Sequence, residues 1–115
     1  MSTIDINRLR RFFADAQAAH AALMVQWKKV SKARENVSHA QVELRPYQFE
    51  KRGKQILKSG GEKFVSALAE AERDLKRADE EYERLQRAWE HAASLRNRVR
   101  DYAIQLGEFP SDLKD

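Results

Sequence analysis

Every seventh residue from Leu9 is apolar: Leu9, Ala16, Leu23, Val30, Val37 and Leu44. The positions three further along are Phe12, Ala19, Gln26, Ala33 and Ala40, where only Gln26 is polar. A seam of this period restricts the segment to a long α-helix packed along one stripe against another helix. A half-buried strand would need apolar residues at every second position instead. The second half of the chain has the same period. Phe64, Ala71, Ala78, Leu85, Ala92, Val99 and Leu106 alternate with Leu68, Leu75, Tyr82, Trp89, Arg96 and Ala103, and Arg96 alone breaks the seam.

Local signals bound the two helices. Ser2 with Asp5 reads as a capping box, and Ser59-Gly60-Gly61-Glu62 as a second one. Pro46 disfavours helical geometry at Arg45 and ends the first helix. Gly107, followed by Pro110, ends the second. Helices are therefore expected at about 3–44 and 62–106. A short connector at 46–58 can itself turn a helix, and 107–115 is left as a flexible tail. Two helices of similar length with a short link form an antiparallel hairpin, so the expected fold is one all-α, coiled-coil-like domain. Pairing residues whose numbers sum to 108 sets Ala19 against Trp89, Ala33 against Leu75 and Ala40 against Leu68, large against small. That register also offers Tyr82 to Gln26 as a hydrogen-bond partner and the Phe12 ring to Arg96. Sliding by one heptad, to a sum of 115, brings Glu43 against Asp74.

Composition narrows the chemistry. Across 115 residues, 35% are charged and none is cysteine, which excludes disulfides, thiolate metal sites and cysteine nucleophiles. No segment approaches the roughly 18 apolar residues that span a bilayer. The N-terminus imitates a signal peptide, but Asp15, Gln17 and His20 interrupt its apolar run, so it reads as the start of a helix. No membrane association and a cytoplasmic location are expected. Gly53-Lys54 lacks the flanking glycine and hydroxyl residue of a phosphate loop, with Gln48 and Gln55 in those places. His20, His39 and His91 lie at no metal-binding spacing. No catalytic residue, metal or cofactor is expected.

Two features exceed what a hairpin needs. Phe13, Trp27, Leu95 and Tyr102 flank the seam and are candidate partner-binding anchors. They fit a dimer, in which two hairpins make a four-helix bundle, or a different protein partner. The net charge of +4 is also uneven. The 108 register gathers Arg8, Arg10, Arg11, Arg96, Arg98 and Arg100 at the open end of the hairpin. Lys51, Arg52, Lys54 and Lys58 form a second basic cluster in the connector. Either cluster is a candidate site for an anionic partner, acidic protein or nucleic acid.

The layout resembles helical-hairpin stalk and adaptor proteins, such as those of bacterial export machines, and small phage-encoded regulators and inhibitors. The resemblance is one of architecture and implies no site residues. The function expected is that of a non-enzymatic protein-interaction module, an adaptor, chaperone, stalk or inhibitor. The rival is a nucleic-acid or phosphate-binding module using the basic clusters.

Overall fold

A computed structural model describes residues 4–113. The chain is a helical hairpin: α1 spans Ile6–Leu44 and α2 spans Glu62–Gln105. The connector is not helical. It holds a 3-10 turn at Arg45–Tyr47 and a two-stranded antiparallel ribbon, β1 (Gln48–Lys51) and β2 (Lys54–Leu57). A further 3-10 turn covers Ser111–Leu113. The described chain falls into two compact units, one of 4–24 with 84–113 and the other of 25–83.

The heptad seam forms the core. On α1, Leu9, Ala16, Leu23, Gln26, Val30, Ala33, Ala40 and Leu44 are all buried. On α2, only Ala103 of the seam positions is buried, Leu106 is exposed, and the others are half-buried. Ala16, Ala33 and Ala40 of α1 are covered, whereas Leu68, Leu75, Tyr82 and Trp89 of α2 keep part of their surface in water; Phe12, Ala19 and Val37 of α1 are also half-buried. In the unit of 25–83, the rings of Trp27 and Tyr82 lie 5.5 Å apart. In the other, the rings of His20 and Trp89 lie 5.7 Å apart. Both pairs fit the 108 register to within one residue and exclude the 115 register. The expected partner of Gln26 is corrected: its Nε2 donates to the backbone carbonyl of Ala78 at 3.0 Å rather than to Tyr82. This bond satisfies the polar side chain at a buried seam position, where an unpaired amide would be expensive.

The helix ends differ from the sequence expectation in detail. Asp5 is itself the N-cap of α1, its Oδ1 accepting from the N–H groups of Asn7 and Arg8 at 3.0 and 3.2 Å. The expected box would have begun at Ser2, which lies outside the described residues. At α2 the cap is Gly61, whose carbonyl accepts from Phe64 and Val65. Glu62 Oε2 turns back to accept from the Gly60 N–H at 3.1 Å, so Ser59 is not the capping residue. At the other end of α2, Gly107 (φ +71°) closes a Schellman motif. The Glu108 N–H donates to the Ala103 carbonyl at 2.9 Å and the Gly107 N–H to Ile104 at 3.0 Å.

The connector folds as a ribbon because its turn permits one. Arg52 (φ +52°) and Gly53 (φ +77°) both lie in the left-handed region, as the two-residue hairpin turn requires at its central positions. Two contacts seat this ribbon on the helices within the 25–83 unit. The Tyr47 ring stacks on Phe64 at 4.8 Å. Gly61 is buried, and a Cβ there would lie 2.6 Å from Leu57 Cδ1 and 2.8 Å from Tyr47 Cβ. The close approach therefore needs glycine. Gly61→Ala should lower stability by about 1–3 kcal/mol through overpacking, read as a lower melting temperature by circular dichroism. A variant as stable as the parent would contradict this packing.

Candidate functional site

Two regions hold the side chains that the sequence singles out. The first lies in the unit of 4–24 and 84–113. Here the segment after Gly107 turns back onto α1. Phe109 meets the Phe13 ring at 5.8 Å, and Arg10 donates from Nη1 and Nη2 to both carboxylate oxygens of Asp112, at 2.5 and 3.1 Å. An open groove of about 1050 Å³ results, with Phe13, His20, Trp89 and Phe109 among its apolar and aromatic walls and Arg96 and Arg100 beside them. The segment 107–113, expected to be flexible, thus carries two contacts to α1. Phe13 and Leu95 are half-buried, whereas Trp27 and Tyr102 are 41% and 54% exposed. Trp27 has Arg34 over its ring at 5.1 Å.

The structure sorts the arginines of this unit. Arg10 is engaged by Asp112, and Arg100 bonds Asp101 Oδ1 at 3.1 Å. Arg96 is half-buried and, among the described residues, bonds the Asn97 amide oxygen at 3.2 Å. It does not cover the Phe12 ring; Arg8 does, at 6.0 Å. Arg11 and Arg98 are exposed and have no side-chain partner among the described residues. The open end is therefore less available to an anion than a count of arginines implies.

The second region is the ribbon tip in the 25–83 unit. Lys51, Arg52 and Lys54 are exposed, without a side-chain partner among the described residues. Lys58 lies over the Phe49 ring at 5.8 Å. Lys51 and Lys54 are directly opposite one another in the ladder. The sequence identified these cations but not the ribbon that displays them.

His20 packs on Trp89, and His39 Nε2 lies 3.0 Å from Glu43 Oε1. Among the described residues, no cluster of three or more histidine or acidic side chains could hold a metal ion. Among the same residues, no helix is long and apolar enough to cross a membrane.

The Arg10 guanidinium holds the Asp112 carboxyl below its ordinary value of 3.8, chiefly through its hydrogen bonds. A carboxyl with a depressed folded-state pKa stabilises the docked state above its unfolded pKa and loses that effect as pH falls through the folded value. The tail should therefore loosen only below about pH 4, and Asp112→Asn should loosen it at neutral pH. Because the pair is half exposed, the global melting temperature should barely change. Amide exchange across 107–113 measures the effect, and unchanged protection in Asp112→Asn would show that the ion pair does not hold the tail. Arg96→Leu tests the groove differently. It restores an apolar seam position and should raise stability by about 1 kcal/mol, read from the urea midpoint. A loss would mean that Arg96 is structurally required.

No protein-family model, curated protein or solved structure matches the chain.

Proposed function

We propose that the chain is a non-enzymatic protein-interaction module whose helical surface docks another helical surface, first of all that of a second copy. The observation that supports this reading is the half-buried state of the α2 seam. Leu68, Leu75, Tyr82, Leu85 and Trp89 occupy core positions of a heptad pattern and still keep part of their surface in water. Their aliphatic and aromatic parts would be removed from water by a second layer of helices, at roughly 25 cal/mol per Å² buried. A two-helix hairpin lacks that layer, and a pair of hairpins supplies it.

Charge favours the same occupant. Residues 64–106 carry nine acidic and eight basic side chains, so two copies can meet without a large like-charge field. Trp27 and Tyr102 are the exposed aromatic anchors, while Phe13 is partly covered by Phe109 and Leu95 is half-buried.

Sedimentation equilibrium over a range of concentrations tests the proposal. A concentration-dependent dimer is expected, with Trp27→Ala and Tyr102→Ala shifting the equilibrium toward monomer. Neither residue is buried, so the fold should survive, and circular dichroism checks that it does. A monomer at every concentration would sink the self-association reading.

A further inference from the structure

We infer that the β1–β2 tip binds the phosphate backbone of a nucleic-acid duplex. The inference is independent of self-association and rests on how the tip is built. Two of its features work against the ribbon's own stability while adding positive charge, and the ribbon is too short to offset them readily. Lys51 and Lys54 face one another across the ladder, and like charges directly opposite are destabilising. Arg52 holds φ +52°, a conformation that a branch-free glycine or an asparagine adopts far more readily. The strands are four residues each, and an isolated two-stranded ribbon of this size is marginal even with favourable side chains.

An anion lying against the tip offsets the charge repulsion. It bridges Lys51 and Lys54 and gives the Arg52 guanidinium a partner. Nothing else in the neighbourhood does so: the one carboxylate of the ribbon, Glu50, is paired with Gln55 in the ladder and alternates to the face opposite Lys51 and Lys54. Residues 48–58 hold four basic side chains and one acidic one.

The shape selects among anions. A two-stranded ribbon has the width to enter the major groove of a duplex, with its turn leading. The tip residues Lys51, Arg52 and Lys54 are cations rather than base-reading amides, and this set suits phosphates more than base edges. The ring nearest the tip, Phe49, already has Lys58 over it, which leaves it less suited to stacking on an unpaired base. Binding should therefore be sequence-independent and stronger for duplex than for single strands.

Fluorescence anisotropy with a labelled random-sequence DNA duplex and the full chain tests this. Three phosphate contacts predict a slope of log K against log salt of about −2.7, or about a fortyfold loss between about 50 and 200 mM salt. Arg52→Gly removes one charge while relieving the left-handed strain, so it should fold at least as well and reduce the slope by about 0.9. Lys51→Gln with Lys54→Gln should remove most of the remaining affinity, whereas Arg11→Gln with Arg98→Gln should leave it intact. The proposal is overturned by absence of binding, by binding indifferent to salt, by affinity that survives the tip variants, or by equal affinity for a single strand or for anionic lipid vesicles. Sedimentation of Arg52→Gly separates the two readings, because the oligomeric state should not change with the tip.

Discussion

A helix with a single neighbour can bury only one stripe of its surface, and most of this molecule follows from that limit. The stripe on α1, with Ala16, Ala33 and Ala40 among its residues, is mostly buried, and Phe12, Ala19 and Val37 in it are half-buried. The stripe on α2 carries Leu68, Leu75, Tyr82, Leu85 and Trp89, which cover α1 while staying only half-buried themselves. Large-against-small pairing lets the two backbones approach, but it leaves the outer faces of Tyr82 and Trp89 in contact with water and with Trp27 and His20 respectively.

Because so little surface is buried per residue, the ends of the elements matter more than in a thicker domain. Each end is closed by a specific local device. Asp5 accepts two orphan amides at the start of α1, and Gly61 brings the start of α2 against Tyr47 and Leu57. Gly107 returns two amides to the last carbonyls of α2. At the single buried polar seam position, Gln26 finds a backbone carbonyl, which ties side-chain identity to the alignment of α1 on α2. A polar residue in a heptad core commonly fixes register in this way.

Much of this was legible in the sequence. The period of seven located both helices, Pro46 and Gly107 located their ends, and opposing large residues with alanines selected the register. What escaped has a physical reason in each case. Arg52-Gly53 lacks the Asn-Gly or Asp-Gly signature of a two-residue hairpin turn, so the ribbon was hidden behind a residue that adopts positive φ reluctantly. Gln26 bonds a backbone group, which side-chain pairing cannot reveal. Arg10 and Asp112 stand 102 positions apart, and only the chain reversal after Gly107 brings them together. Neither the fate of the arginines nor the half-buried state of Phe13 follows from charge or hydropathy alone. Both depend on where Phe109 and Asp112 come to rest.

That reversal has a topological consequence. Arg10 lies in the second turn of α1, four residues beyond its first residue Ile6, and it is held by Asp112, next to the last described residue. The two ends of the hairpin chain therefore leave from one neighbourhood. Polypeptide attached before Ile4 and polypeptide attached after Leu113 would start side by side, so that the chain behaves as an insert with a common root. Two cargoes joined to its opposite termini would be held close together, whatever the length of helix between them.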